Sequence, residues 1–503
     1  MLTLTDALGR SRQTASNRRA IVCGEHVLDH ATLAERCERV VGALTALGLE
    51  RGDRVAVLAA NCHRYVELYF GVPGAGVVLL PLNIRLATAE LRGIVADARP
   101  RLLITDRDPG ALADDVERVV TLDEWDALVE VSRRAELGAG VAEDDLAVLY
   151  FTGGTTGRPK GVMLTHRNLV ANSFHKTIAC GLRSTDVFLA SGPFFHVAGT
   201  APVLSILWLG GSLVVLPGFD AAGCLDVIER HLVTVYMPVP TMLAALAAEQ
   251  KARPRDVSSL RLIGHAGSPI TTAVIREARE VFPDAQLDQY YGATETSSIV
   301  TCMSHEEQLL DGGPLGSVGQ AVVGVAVGIV DDDGRPRAIG EVGEVVARGP
   351  NVMVGYWNNK EATKAAFVDG WYRLGDVGYL DEQRYLWLLD RAKDMIVTGG
   401  ENVYSIEVEE VLARHPAVLE CAVFGVPDER WVEAVHALVV VAPDQVTEGL
   451  GEELRAHCRA SIAGFKVPKR IELRTDPLPK SGPGKIQKRQ LRDPYWQTAD
   501  RQS

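Results

Sequence analysis

The sequence predicts an α/β protein: a large N-terminal multi-subdomain α/β domain followed by a small mobile C-terminal α+β domain. Three observations lead there. Short apolar runs alternate with amphipathic stretches along most of the 503 residues, the rhythm of buried, largely parallel sheets covered by helices. A chain of this length exceeds one simple core and suggests two to four domains. Past about residue 390 the units become shorter and change in texture.

In order along the chain, RVAVL at 54–58, VVLLP at 77–81 and LLIT at 102–105 read as buried strands. Helices over 65–75 and 88–98 separate them. Residues 197–219 carry no charge, but Pro202, Gly210, Gly211 and Pro217 interrupt them. That stretch reads as a buried helix over 201–209, a turn and a strand over 212–216, and it does not span a bilayer. LRLIGHAGSPI at 260–270 and QLDQYYGATET at 286–296 repeat a strand-then-loop plan. The last part reads as a helix over 405–414, strands over 420–424 and 434–441, a helix over 448–459 and a strand over 470–473. The join, LLDRAKDMI at 388–396, is short and charged. It suggests a hinge, with an N-terminal domain over 1–392 and a C-terminal domain over 393–503.

Hydrophobic residues make up 47% and charged residues 23%, as in ordinary globular enzymes. The net charge of −13, with no long basic block, argues against nucleic acid as a partner. The eight cysteines form no Cys-x-x-Cys pair, which reads as reduced thiols, without structural zinc or a disulfide framework. The first twenty residues lack the apolar core of an export signal, so the expected location is cytoplasmic. Peripheral membrane contact and a homodimer both stay open.

Four motifs carry chemistry. In YFTGGTTGRPKGV at 150–162, Thr152, Gly153, Gly154, Thr155, Thr156 and Gly157 precede Lys160. Glycines let successive N–H groups converge on an anion, hydroxyls add donors, and the lysine adds a point charge. The spacing is not that of the familiar phosphate loop, and an isolated cluster of this kind is as readily a flexible surface loop. In QYYGATET, Tyr291 precedes the turn at Gly292, and Thr294 stands beside Glu295. A carboxylate next to a phosphate site needs a cation between them, so Glu295 is a candidate Mg²⁺ ligand; the plainer reading is a solvated helix start. In WYRLGDVGYL, Asp376 follows Gly375. One carboxylate can accept from two vicinal ribose hydroxyls, although an Asp after Gly is more often a turn residue. In LPKSGPGKIQKRQLR, Gly482, Pro483 and Gly484 expose Lys485, where an idle solvated lysine is the ordinary alternative.

Together and in this order, TGGTTGRPKGV, YGATET, WYRLGDVG, DRAKDMIVTGGENVYSIEVEEVL and SGPGKI make the chain resemble the adenylate-forming superfamily, in its acyl-CoA synthetase branch, over essentially its whole length. The resemblance implies an AMP-forming acid–thiol ligase acting on a fatty or aryl monocarboxylic acid, with ATP, Mg²⁺ and coenzyme A. It implies that the 152–160 loop holds the β- and γ-phosphates, while Gly264, His265, Ala266 and Gly267 line the adenine and acyl groups. Tyr291 would stack on adenine above Gly292. Thr294 would touch the α-phosphate and Glu295 would ligate Mg²⁺. Asp376 and Arg391 would grip the ribose, and Lys485 would bridge the carboxylate and α-phosphate. Lys393 maps to the hinge. Gly399, Gly400 and Glu401 belong to the face expected to receive pantetheine. His196 in PFFHVAG maps to a gate between acyl pocket and thiol tunnel, against the plainer reading of a satisfied core histidine. The acyl pocket itself would be built by 194–200, 238–242 and Gly264 to Gly267; because these segments are uncharged, an acid with an apolar body is expected.

Three positions depart from the pattern. Gly153 replaces a frequent Ser, Val432 stands where relatives often have Gly, and His265 brings a ring to a position often held by a small residue. Two competing readings remain: an acyl-AMP ligase that hands the acyl group to a carrier protein, and a non-catalytic nucleotide sensor on the same fold.

Overall fold

The computed structural model describes residues 2–152, 159–267, 270, 272–304, 316–391, 394–398, 401–428, 431–447, 449–480 and 486–500, with backbone only at 272, 304, 391, 401–402 and 497–500. The chain divides into two compact units. The first comprises 1–267, 274–327 and 347–372, and the second 268–273, 328–346 and 373–503.

The first unit is built on two sheets. In the seven-stranded one, Leu146–Thr152, Val78–Pro81, Arg54–Leu58, Leu102–Thr105 and Arg118–Thr121 run parallel. Two antiparallel strands, Lys160–Thr165 and Gly355–Tyr356, close one edge. Its strands are apolar on both faces, with Val55, Ala56, Leu79, Leu80, Leu102 and Leu103 wholly buried, as a parallel sheet covered on two sides requires. In the nine-stranded sheet the parallel core is Gln286–Tyr291, Leu262–His265, Val235–Tyr236, Val187–Ala190, Ser212–Val215 and Arg19–Cys23, again with antiparallel edges. The mostly parallel arrangement expected from the alternating runs is therefore found, with turn-linked antiparallel strands added at the rims.

Helix His63–Gly74 is buried along nearly its whole length. Helix Thr88–Ala98 turns only Leu91, Ile94, Val95 and Ala98 inward, one stripe at helical spacing. The uncharged stretch resolves into helix Val197–Leu209 and strand Ser212–Val215, and no described helix is long and apolar enough to cross a membrane.

In the second unit, strands Glu401–Val403, Ile396–Thr398, Val432–Val440 and Glu420–Asp428 lie in that order, and Arg470–Arg474 adds to Val432–Val440 in parallel. Helices Ser405–Ala413 and Leu450–Arg459 contribute Val408, Val411, Leu412, Leu450 and Leu454 to its core. The hairpin is longer than the sequence suggested, reaching Asp428 and starting again at Val432. Val432 carries the strain of that turn. Its φ is +70° and its side chain is exposed, a conformation costly for a β-branched residue and free for glycine.

Candidate active site

The strands Leu146–Thr152 and Lys160–Thr165 are antiparallel neighbours whose register pairs Thr152 with Lys160. The Thr152 hydroxyl donates to the Lys160 carbonyl at 3.5 Å. Gly153, Gly154, Thr155, Thr156 and Gly157 lie outside the described residues, but the two ends of their loop are thus fixed side by side. Phe151 and Trp357 crowd Gly161, where a Cβ would stand 3.0 Å from each, so the strand leaving the loop runs against bare backbone.

Strand Gly355–Tyr356 pairs with Val162 and Met163 on the outer side. This places the Tyr356 ring 5.1 Å beneath the Lys160 ammonium, a cation–π distance. The Tyr356 hydroxyl donates to Glu295 Oε1 at 2.9 Å. Burial first, and the Glu295 carboxylate second, push the Tyr356 phenol well above its ordinary range, which keeps it protonated as a donor. Residues 160 and 295, far apart in sequence, therefore meet through one side chain that the motif reading did not single out. The signal for it was GPNVMVGYW, a Gly-Tyr-Trp in an otherwise loop-like stretch.

Glu295 lies in the short 3₁₀ turn Thr294–Thr296. The turn is capped from within, the Ala293 amide donating to the Thr296 hydroxyl at 2.9 Å. Asn351, wholly buried, ties it down from outside: its Nδ2 donates to the carbonyls of Thr296 and Ile299, both at 2.9 Å. The Met353 amide donates to the Glu295 carbonyl at 2.8 Å. Asn168, in the first turn of helix His166–Ala179, holds the same segment by donating to Pro350 and Val352 at 2.8 Å each. The chain then folds back at Ser297 and Ser298, both with positive φ. The Ser298 carbonyl ends 2.2 Å from where a Cβ on Gly292 would stand, so only glycine fits there. Asn351 and Asn168 are further residues that the sequence reading missed.

Tyr291 ends strand Gln286–Tyr291, paired with Thr301 and half-buried. Next to it, Gly264 and His265 close strand Leu262–His265, followed by Ala266 and by Gly267 at φ +92°. Gly264 is bare for a reason: a Cβ would stand 2.2 Å from the ring of Tyr290. His265 is buried in the strand, so its ring belongs to the packed sheet at this loop's root.

His196 stands just before helix Val197–Leu209. Burial, then the Arg85 charge, lowers its pKa to about 4, so the ring is neutral at ordinary pH. Its Nε2 is buried and has no hydrogen-bond partner among the described residues. The surrounding segment is held by a hydroxyl chain. Tyr69 donates to the Phe194 carbonyl at 2.5 Å and meets Tyr150 at 3.0 Å, and Tyr150 meets Thr200 at 2.7 Å. Asn61 adds a bond at each of Gly192 and Phe194, both 2.8 Å.

In the second unit, Asp376 and Arg391 are register partners on the antiparallel strands Trp371–Leu380 and Leu386–Arg391. Asp376 was expected at a turn before a strand. It lies instead in mid-strand, after Gly375 at φ +73° and beside a register shift at Val377 and Gly378. Two residues that a single ribose would need are therefore neighbours. Glu401 opens strand Glu401–Val403. Lys393, Gly399, Gly400 and Lys485 lie outside the described residues.

A Mg²⁺ ion fits Glu295. Tyr356 donates to one carboxylate oxygen, no side chain among the described residues is seen to bond the other, and no described cluster of three or more His, Cys, Asp or Glu competes for a metal. One carboxylate completed by substrate phosphates is the usual way proteins hold this ion.

The chain is similar to known proteins over nearly its whole length. The chain is 38% identical over 490 residues to a feruloyl-CoA synthase of Amycolatopsis sp, covering 96% of this chain and 97% of that one. It is 35% identical over 477 residues to the long-chain-fatty-acid–CoA ligase FadD13 of Mycobacterium tuberculosis, 92% of each. Among solved structures it is similar to the o-succinylbenzoate CoA synthetase of Bacillus subtilis. With the acyl-adenylate intermediate bound, that enzyme superposes at TM-score 0.88, 32% identity and 96% and 97% coverage. With ATP and a magnesium ion it does so at TM-score 0.86, 31% identity and 96% and 98% coverage. Residues 9–357 match the family described as AMP-binding enzyme and residues 407–485 its C-terminal domain; the chain belongs to the AMP-binding enzyme family.

Proposed function

We propose that the chain is an ATP-dependent acid–thiol ligase that makes an acyl-CoA from a fatty or aryl monocarboxylic acid. A carboxylate oxygen attacks the α-phosphorus of ATP, pyrophosphate leaves, and an acyl-adenylate forms. The thiol of coenzyme A then attacks the adenylate carbonyl, losing its proton, and AMP leaves. The observation that carries this reading is the Lys160–Tyr356–Glu295 linkage. It puts the cation that follows the glycine–threonine loop and the cation-binding carboxylate on one side chain, as a polyphosphate with its metal would need.

Phosphoryl chemistry of this kind is won by positioning and charge stabilisation. Thr152, Lys160 and the loop between them would receive the β- and γ-phosphates, and Thr294 the α-phosphate. Magnesium on Glu295 would neutralise phosphate charge. Tyr291 would stack on adenine, beside the backbone of Ala266 and Gly267. Asp376 and Arg391 would accept and support the ribose hydroxyls, and Lys485 would neutralise the charge that builds on the α-phosphate during adenylation. His196, neutral and without a hydrogen-bond partner at Nε2 among the described residues, fits a ring that turns as a gate. In the second step a thiol needs no strong base, because AMP is a good leaving group. Gly399, Gly400 and Glu401 would present the backbone along which pantetheine passes. We place the functional domain boundary at 392/393 with Lys393 as the hinge. The similar proteins named above span ferulate, long-chain fatty acids and o-succinylbenzoate, and the uncharged pocket segments favour a monocarboxylate among these. Eight free cysteines favour a reducing, cytoplasmic setting.

The test is pyrophosphate release by the purified chain over aliphatic and aromatic acids, with and without coenzyme A. Lys485→Ala is expected to abolish adenylation while sparing thioester formation from a pre-made acyl-adenylate. A chain that binds ATP yet exchanges pyrophosphate with no acid, or a variant equally impaired in both steps, would overturn the reading.

A further inference from the structure

Lys176 is a buried cation that the mechanism does not use. It projects from helix His166–Ala179 and is 3% exposed. Its ammonium lies 3.7 Å from Met237 Sδ and 5.0 Å from the centroid of the Tyr290 ring. Among the described residues it forms no ion pair with a carboxylate. Burial lowers its pKa below the ordinary lysine value, with only the Cys180 and Cys302 thiols acting against that. Asp288 is nearby on the Tyr290 strand, but it already accepts from Gln286 at 2.9 Å and Tyr290 at 3.3 Å. A thioether is a weak acceptor, and a ring face returns ~2 kcal/mol at best, whereas an unpaired buried ion costs several. The lysine is left underpaid in the free protein.

Its position gives that debt a meaning. Met237 immediately precedes the 238–242 wall of the expected acyl pocket. Tyr290 lies across Gly264, the first residue of a second wall. The ammonium therefore lies one side chain away from each expected wall, at a place where the uncharged segments read from the sequence gave no hint of charge.

We propose that Lys176 determines substrate specificity by donating to an oxygen at the far end of the acid, so that the preferred substrate is an acid whose apolar body ends in a hydroxyl, carbonyl or carboxylate oxygen. The proposal rests on the acid–thiol ligase reading above and refines its substrate class: a hydroxyl- or carbonyl-ended acid stays within the monocarboxylates, and a carboxylate-ended one extends that class to a dicarboxylate. A site built to hydrogen-bond a substrate oxygen rejects the analogue without it, because the buried donor is then stranded.

The experiment compares kcat/KM of the full chain on matched acids. These are phenylpropenoic acid with and without a 4-hydroxyl, 2-succinylbenzoate as a carboxylate-ended acid, and decanoate as an alkyl control. The oxygen-ended acids are expected to be favoured by about ten- to a hundredfold. In Lys176→Met, which keeps length and removes the donor, that ratio should fall to near one through KM for the acid, with KM for ATP unmoved. Lys176→Gln, a shorter neutral donor, should fall between, which separates donation from mere packing. The comparison of the 4-hydroxyl and carboxylate arms tells which oxygen the lysine takes. A native chain indifferent to the distal oxygen, or variants whose ratio equals that of the native chain, overturns the proposal while the ligase reading stands. If no acid yields a thioester, the ligase reading itself falls.

Discussion

At the level of single residues, Tyr356 has the most to do with the least prominence. It touches the Lys160 ammonium with its face and the Glu295 carboxylate with its hydroxyl. Replacing it with Phe keeps the face and removes the donor. A hydrogen bond to a charged group contributes about 1.5–3 kcal/mol when buried, and partial exposure here argues for the lower end. Tyr356→Phe is therefore expected to weaken kcat/KM for Mg-ATP by roughly tenfold, and a magnesium titration should show a matching rise in the concentration needed. The motif residues could be proposed from the sequence because each is a chemical type suited to phosphate or ribose chemistry. Tyr356, Asn351 and Lys176 were not, since a tyrosine, an asparagine and a lysine each acquire their role only from what the fold places opposite them.

Among elements, the C-terminal helix Lys488–Asp500 and helix Ser405–Ala413 are locked by one buried pair. Lys488 lies 2.8 Å from Glu409 and donates to the Ser405 hydroxyl at 2.5 Å. Glu409 also accepts from the Val423 amide at 2.7 Å, and Asp390 accepts from the Ser405 amide. Burial alone would lower the Lys488 pKa, but Glu409 and Asp390 outweigh it and raise it. Burial raises the Glu409 pKa as well, and the Lys488 ammonium is the largest influence holding it down. Lys488→Met would leave Glu409 buried without its counter-ion. A destabilisation of about 3–5 kcal/mol is expected, seen as an earlier unfolding transition of the C-terminal unit by differential scanning calorimetry. An unchanged thermogram would mean that Glu409 takes up a proton at little cost. The elements were largely legible, as the coincidence at Arg54–Leu58, Thr88–Ala98 and Leu102–Thr105 shows. There the apolar run and the flanking breakers agree. Asp376 was not: a Gly-Asp pair reads as a turn, and only the pairing of Trp371–Leu380 with its neighbour keeps the backbone extended.

Over the whole molecule, neutral histidines are buried in both units. Burial lowers the pKa of His63, His166, His196 and His436 to about 4 each, from the ordinary 6.5. For His436 this holds although Glu472 is 3.9 Å away, because desolvation outweighs that charge. The unfolded chain then binds protons near pH 6.5 that the folded chain refuses until about 4. Stability should be level above pH 7 and fall steadily as pH drops through this window, well before most carboxylates titrate. Tm measured from pH 7.5 to 4.5 checks this, and a flat profile down to pH 5 would contradict it. That sensitivity could not be read from the histidine count, because burial is a property of packing.

The aromatic side chain that rests on the bare backbone of residue 264 fills space beside the expected acyl pocket. Tyr290→Ala would vacate the room of a whole phenol ring, with the loss of its bond to Asp288 and of the face it offers Lys176. Chain-length preference in a fatty-acid panel should then shift upward by several carbons. An unaltered length profile would show that the depth of the cleft is fixed elsewhere. How long an acid the enzyme accepts, and how polar its tip is, would then be governed by two side chains that touch each other.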